Sequence, residues 1–367
     1  MLLRSDAGIS KRPLARIQRL CCFGVGSEML MPDLIRDLTG AIPSTGGWFH
    51  WMAPGLGIVN SYATFPSSLT ELYFRDFYQT RYETEAVGDV TNWPASSGLE
   101  ATHRKPFVDK ALLRTDYYNC LWRPAGIHEY VVATIRDAGH ERGRIHLYRS
   151  AGKAHFEPKD LKMLQSVVGF IRHAMVRVTL DDGDYADSED RALCVVDKDG
   201  KVRHAEAEAQ RLLMMALNPH WNSISGIRGL HEPLPEITQL CQVLIATANG
   251  RVGQPPPVLR LRNPWGEFVL RAYWLGPTDG MEQTRQIGIT VERRVPRALA
   301  LRPRVEDLPL TGREKQLCLL LTQDRSRQEL GEAMGVSTGT VISHQSSIYT
   351  KLGVHSRAEL LTALAPD

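Results

Sequence analysis

Small and hydroxyl-bearing side chains cluster near the C-terminus, on one face of the stretch from residue 338 to 352. On a helix of 3.6 residues per turn, the outward face carries Thr338, Ile342, Ser343, Ser346 and Thr350, with Gln345 at its margin. Short polar side chains can approach a partner closely and exchange hydrogen bonds with it. This chemistry fits the base edges displayed in the major groove of DNA, which is about 12 Å wide.

The elements that must position these side chains are short helices whose start signals repeat. Three capping boxes share a hydroxyl residue followed three positions later by glutamate: Thr311-x-x-Glu314, Ser326-x-x-Glu329 and Ser356-x-x-Glu359. Only Gly335-Val336-Ser337 separates the second helix from the third, and a short glycine-containing turn makes two helices cross steeply. The sequence therefore predicts an all-α unit of four helices that contains a helix-turn-helix.

Longer motifs in this region resemble the LuxR-type helix-turn-helix domain over about residues 308–364. The motifs are Leu310-Thr311-Gly312-Arg313-Glu314, then Thr340-Val341-x-x-His344, then the run from Ile348 to Leu360. The resemblance implies that Thr338 to Leu352 is the recognition helix. It also implies base contacts from Ile342, Ser343 and Ser346, phosphate contacts from Thr340 and Lys351, and dimerisation through the fourth helix.

The predicted DNA-contacting residues are Thr338, Thr340, Ile342, Ser343, Gln345, Ser346 and Lys351. Two plainer interpretations remain open. The helices could form a hairpin used only for protein contacts, and Lys351 could be a solvated charge favoured by the helix dipole. We expect His344 to pack on the inner face of its helix rather than to contact bases.

The sequence departs from the family pattern at positions that affect affinity. Ile342 stands where the family commonly has lysine, and Leu330-Gly331 stands where it commonly has Ile-Ala. The basic and acidic residues of 302–367 also cancel in number. We therefore expect modest phosphate attraction, with a homodimer on half-sites about ten base pairs apart compensating for it.

Length and composition favour a protein of two or three globular domains. The chain has 367 residues, 43% of them hydrophobic, with 44 basic and 41 acidic residues. No apolar run approaches the ~20 residues of a membrane span, and the N-terminal sequence has no signal-peptide pattern. We expect a cytoplasmic protein without membrane association and, because the cysteines follow no metal or redox spacing, six reduced and buried thiols.

Two further domains are predicted upstream, which makes the chain α+β and multidomain. Residues 1–180 resemble, loosely, a GAF-like sensor domain, with an antiparallel sheet and helices expected at 69–81 and 157–178. Residues 191–292 resemble a PAS-like domain built from two hairpins and two helices. An acidic stretch, 181–190, and a basic stretch, 293–304, are expected to be a linker and a hinge, and residues 305–367 form the third domain.

Aromatic residues are concentrated in the first domain. Most are expected in the core, but buried Tyr and Trp need polar partners, and so many suit a pocket for a small apolar or aromatic effector. The candidate effector-binding residues are Trp48, Trp51, Tyr73, Phe77, Tyr118 and Trp122.

The sequence thus predicts a transcription regulator that binds double-stranded DNA as a homodimer and acts with RNA polymerase. No catalytic motif, metal-binding pattern or cofactor fingerprint is present, so we expect neither an enzyme nor a cofactor. Three alternatives remain open: control by a protein partner instead of an effector, an enzyme tethered to DNA, and a sigma-factor-like promoter module.

Overall fold

The structure is a computed structural model that describes residues 11–54, 57–78, 102–106, 112–137, 139–175, 185–219, 230, 232–251, 255–275, 286–323 and 325–364. The chain divides into two compact units. The first contains Met1–Thr179 and Arg191–Glu292, and the second contains Leu180–Asp190 and Arg293–Asp367. Among the described residues, no helix has the length and apolarity needed to cross a bilayer.

The first part of unit one is built on an antiparallel sheet. Its elements in chain order are α1 (Lys11–Cys21), α2 (Ser27–Ala41), β1 (Gly46–Ala53), β2 (Gly57–Ala63), α3 (Ser67–Leu72), β3 (Thr102–Pro106), β4 (Glu129–Asp137), β5 (His140–Arg149) and α4 (Pro158–Ala174). The strand order is β2-β1-β5-β4-β3, and every neighbouring pair is antiparallel. The predicted antiparallel sheet of the N-terminal region is therefore confirmed.

The helix predicted over 69–81 is shorter and less regular than expected. α3 ends at Leu72 and passes into a π-helical turn, Tyr73–Phe77, and Tyr78 is already extended. A second π-helical turn spans Tyr117–Trp122. Both turns are crowded with aromatic side chains, which pack into the same apolar cluster. Residues 79–81 and 176–178 of the predicted helices lie outside the described residues.

A buried arginine joins β5 to the start of α4. The guanidinium of Arg149 donates to the carbonyl oxygens of Pro43 and Ala154 at 2.7 and 2.9 Å and to Asp160 Oδ2 at 3.1 Å. It also lies 3.9 Å from the centre of the Phe156 ring. The same Asp160 oxygen accepts from the backbone N–H of Glu157 and caps α4. Since both charges are buried, each depends on the other for compensation.

The middle of the chain forms a second five-stranded sheet. Its elements are β6 (Tyr185–Val196), β7 (Val202–Ala205), α5 (Ala207–Leu217), α6 (Pro235–Ala248), β8 (Val258–Asn263), β9 (Gly266–Leu275) and β10 (Gln286–Pro296). The strand order is β7-β6-β10-β9-β8, with antiparallel β6–β7 and β8–β9 hairpins. Trp265, in the turn of the second hairpin, packs edge-on against Trp51 at 5.5 Å, so both parts of unit one share a core.

The acidic linker prediction is wrong for residues 185–190, which form the start of β6; residues 181–184 lie outside the described residues. The charges of this stretch are paired with the basic segment that was predicted as a hinge. Asp190 accepts from the fully buried Arg293 at 2.8 Å, and Asp187 accepts from Arg294 at 3.0 Å. Each charged stretch resembles a solvent-exposed segment in the sequence, because the residues that pair with its charges lie about a hundred positions away.

The hinge prediction at 293–304 is also wrong. β10 continues to Pro296, and α7 (Arg297–Asp307) follows at once. Ala298, Leu301 and Val305 are buried along one face of α7 and form an apolar stripe that the surrounding arginines and prolines hide in the sequence. The cysteine prediction needs a smaller correction. All six thiols are free, but Cys22 and Cys120 are exposed.

Candidate nucleic-acid interface

After α7, the described residues of the C-terminal region form α8 (Gly312–Leu320), α9 (Arg327–Met334), α10 (Thr338–Leu352) and α11 (Arg357–Leu364). The reciprocal hydrogen bonds of the capping box are present at Thr311/Glu314 and at Ser326/Glu329. At the third box, Ser356 Oγ accepts from the N–H of Glu359, but the glutamate accepts from His355 N–H instead of the cap residue. Each cap satisfies backbone donors that the first helical turn leaves unpaired.

The turn between α9 and α10 is held by backbone geometry. Gly335 caps α9 in the left-handed conformation, with φ of 64°, and Ser337 Oγ accepts from Thr340 N–H to start α10. The N–H of Val336 donates to the Gly331 carbonyl at 2.9 Å. A β-carbon at Gly331 would lie 2.8 Å from the Val336 carbonyl oxygen, so glycine lets the turn close tightly on α9.

The faces of α10 differ sharply in exposure. Val341 and Ile348 are buried, whereas the predicted base-contacting residues Ile342, Ser343 and Ser346 are exposed. Ile342 is 45% exposed. Thr338 is exposed as well, and His344 is half-buried. The three side chains with a predicted base contact therefore lie at the surface, where a partner can reach them.

The remaining predicted contact residues are partly engaged within the domain. Thr340 Oγ1 lies 2.9 Å from Ser337 Oγ, and the Gln345 amide donates to the Tyr349 hydroxyl at 2.8 Å. Both Thr340 and Gln345 are half-buried. Lys351, the charged residue among the predicted contacts, has a side chain that is 38% exposed, and its ammonium is bound to a carboxylate of α8.

That carboxylate, Glu314, connects α8 to α10. Its two oxygens accept from Lys351 Nζ at 2.7 Å each, from Ser347 Oγ at 2.7 Å and from the Thr311 N–H at 2.7 Å. The hydrogen bonds from Lys351 and Ser347, with those from Thr311, lower the pKa of Glu314 from 4.5 to about 2. The side chain is only 5% exposed, and these hydrogen bonds keep the carboxylate ionised despite its burial.

From the sequence, Glu314 is recognisable only as the glutamate of a capping box. Its contacts with Ser347 and Lys351 were missed, although those two residues stand four positions apart and so share one face of α10. Only the crossing of α8 and α10 shows that this face meets Glu314. The carboxylate thereby fixes the rotation of α10, and with it the direction in which the exposed face points.

The structure separates the six candidate effector residues into two groups. Trp48, Tyr73, Phe77 and Trp122 belong to one buried aromatic cluster, and the partly buried Tyr118 packs against it. Trp51 lies apart from this cluster: its indole N–H donates to Ser27 Oγ at 2.8 Å and its ring meets Trp265. The reason is the alternation of side chains along β1, which sends Trp48 and Trp51 to opposite faces.

Polar groups are buried inside this aromatic cluster. The Trp48 indole N–H donates to Ser61 Oγ at 2.6 Å, and that oxygen lies 3.2 Å from His50 Nδ1. The imidazole rings of His146 and His50 lie 5.6 Å apart. The buried Nε2 of His146 has no hydrogen-bond partner among the described residues. Burial, with the nearby Arg144, lowers the pKa of His146 to about 3, so the imidazole is neutral.

The described residues contain no group of three or more His, Cys, Asp or Glu side chains placed to hold a metal ion.

Comparison with known proteins agrees with the geometry of the C-terminal helices. Residues 308–364 match the family described as "Bacterial regulatory proteins, luxR family". The C-terminal region is a LuxR-type helix-turn-helix domain. The match covers the four helices from α8 to α11, together with the residues that lead into α8, and nothing upstream of residue 308.

Curated relatives match this chain over short segments of 51 to 56 residues. Fimbriae Z protein of Salmonella typhimurium is 36% identical over 55 residues, 15% of this chain and 26% of that protein. A candidate HTH-type transcriptional regulator from the exeN 3′ region of Aeromonas salmonicida is 43% identical over 51 residues, covering 14% and 26%. The candidate regulator YhjB of Escherichia coli is 36% identical over 56 residues, covering 15% and 28%. The chain thus spans about a quarter of the length of the relatives it matches.

Among solved structures, the chain is similar to a chain of the Vibrio cholerae VqmA dimer, described as a LuxR-type receptor in the absence of target DNA. The two are 16% identical, with 47% of this chain and 80% of that chain covered and a TM-score of 0.16.

Proposed function

We propose that this protein is a sequence-specific DNA-binding transcription regulator that acts as a homodimer through its LuxR-type domain. The observation that carries the proposal is the exposed face of α10, where Ile342, Ser343 and Ser346 stand at the surface. Thr338 and Gln345 would flank these base contacts. Such a regulator would act in the cytoplasm, with RNA polymerase as its second partner.

Two residues would fix the helix on the phosphate backbone. Thr340 lies in the first turn of α10, where helix N-termini favour anions. Lys351 directs its ammonium to Glu314, but an ammonium has three donors, and its partial exposure leaves one for a phosphate. The two phosphate contacts would then lie near the two ends of one helix, with the base contacts between them.

Selection from a randomised duplex library with the full-length protein tests this function directly. We expect enrichment of a sequence with two half-sites about ten base pairs apart, and a gel shift that contains two protein chains. Ser346→Glu should weaken this binding ten-fold or more, since a carboxylate would face the phosphate-lined groove. Ser166→Glu, the same change at an exposed position of α4, is the matched control. Failure to enrich any sequence would refute the function.

We also propose that the chain has three domains: a GAF-like sensor over 1–180, a PAS-like domain over 191–292, and the DNA-binding domain over 305–367. The aromatic cluster would bind a small, neutral, aromatic or apolar effector. Two π-helical turns supply Tyr73, Phe77, Tyr118 and Trp122, and such turns are frequent at functional sites. The unpaired His146 Nε2 offers a hydrogen bond to a neutral ligand. We assign no catalytic role and no cofactor.

A specific observation favours a second candidate, control by a protein partner. The ring of Trp48 lies 4.8 Å from Phe65 and 4.7 Å from Tyr73, so side chains already fill much of this interior. Native mass spectrometry of the purified protein, followed by gel shifts before and after removal of any bound molecule, separates the candidates. A co-purifying molecule that changes the DNA affinity supports an effector. An unchanged affinity and footprint rule it out in favour of a partner.

A further inference from the structure

The exposed face of α10 is almost free of charge. Its exposed positions are Thr338, Gly339, Ile342, Ser343, Ser346, Thr350 and Lys351. The one cation among them has its ammonium bound to both oxygens of Glu314 at 2.7 Å. What this helix offers to a partner is therefore a set of hydroxyl groups around a single large apolar side chain.

Side-chain chemistry limits which bases such a face can distinguish. In the major groove, guanine is read by bidentate Arg or Lys, adenine by Asn or Gln, and cytosine by Asp or Glu. The exposed stripe has no guanidinium, carboxamide or carboxylate, the Lys351 ammonium is bound to Glu314, and the half-buried Gln345 already donates to Tyr349. Serine and threonine hydroxyls can bond to several base edges, so the group on this face that distinguishes one base is the apolar side chain, since thymine alone of the four bases presents a methyl group to the major groove.

Ile342 is the side chain on this face that suits a methyl group. It is one of five large hydrophobic side chains of the described residues that are strongly exposed. Its neighbours one turn before and after, Thr338 and Ser346, are small and leave it protruding. Burying the isoleucine against a thymine methyl would remove both apolar groups from water.

We propose that Ile342 is a specificity-determining residue that contacts the 5-methyl group of a thymine in each half-site of the operator. This inference rests on the proposed DNA binding and deepens it. The hydroxyls of Ser343 and Ser346 then hydrogen-bond to the polar edges of neighbouring bases. At the thymine itself, discrimination between bases comes from the apolar contact with Ile342.

The test replaces thymine by deoxyuracil, which removes the methyl group and leaves the base pairing unchanged. Each thymine of the selected operator is replaced in turn, and binding of the full-length protein is followed by fluorescence anisotropy. For the wild type we expect one position per half-site at which the change weakens binding about four-fold, the factor that burial of one methyl-sized group gives. In Ile342→Ala the same change should have no effect.

The matched control is Leu193→Ala, since Leu193 is also 45% exposed but lies on β6. This variant should keep the full penalty for deoxyuracil. A circular dichroism melt that matches the wild type shows that Ile342→Ala is folded. The inference is overturned if no thymine shows the penalty, or if the penalty persists in Ile342→Ala. A protein that enriches no duplex at all would instead refute the proposed function itself.

Discussion

Replacing Glu314 by glutamine should loosen α10 from α8 without altering the exposed face. The carboxamide has the size of the carboxylate but carries a donor, so it cannot accept from Lys351, Ser347 and Thr311 together. Whichever way it is turned, one NH group opposes a donor. The recognition helix would keep its own hydrogen bonds and lose the charge-assisted contacts that orient it.

The magnitude follows from the pKa of Glu314, which falls from 4.5 to about 2. With about 1.4 kcal/mol for each pKa unit, the upper bound on the stabilisation is about 3 kcal/mol. Lys351 is 38% exposed, and solvent screening of its ammonium reduces this to about 1.5 kcal/mol. Because the folded pKa is depressed, this stability is complete above pH 4.5, and more than half of it is lost by about pH 3.

Hydrogen exchange of α10 amides in the full-length protein, read by mass spectrometry, measures the local opening free energy. At pH 7 we expect Glu314→Gln to lower that free energy by about 1.5 kcal/mol, with little change in the helices of unit one. A cycle with Lys351→Met should give a coupling energy that shrinks as the pH falls toward 3. Equal protection in wild type and Glu314→Gln, or a coupling independent of pH, would refute the role assigned to Glu314.

Three further predictions concern the turn before α10, the buried ion pair of unit one and the phosphate contact of Lys351. Gly335→Ala should destabilise the turn by about 1 kcal/mol, because φ of 64° suits glycine, and Gly335→Asn should cost less; equal thermal melts for the two variants would contradict this. Arg149→Met should cost about 3 kcal/mol in urea unfolding, since it leaves the Asp160 carboxylate buried without its cation, and Arg149→Met/Asp160→Asn should recover part of the loss. Lys351→Met should reduce the slope of log affinity against log salt by about one per half-site, and an unchanged slope would remove Lys351 from the phosphate interface.

Local interactions explain which features could be predicted from the sequence. The capping boxes at Thr311 and Ser326 involve residues three apart, and the left-handed Gly335 ends α9 by itself. The helix-turn-helix can therefore be predicted from short segments of the sequence. The hairpins of both sheets likewise join neighbouring strands through short turns. The exposure of Ile342 follows from helical periodicity once the helix is placed.

Tertiary structure decided the features that depend on residues far apart in the chain. The acidic start of β6 belongs to a strand that neighbours β10 in the sheet, where Asp190 meets Arg293, and neither stretch carries a sign of the other in the sequence. Trp51 leaves the aromatic cluster because the pleat of β1 turns it away, and Lys351 is held because α8 crosses α10 at Glu314. Sequence alone thus determined the capped starts of the C-terminal helices and the turn between α9 and α10, through contacts within a few residues. Folding decided which charges are neutralised and which faces remain open, because these depend on packing between distant segments.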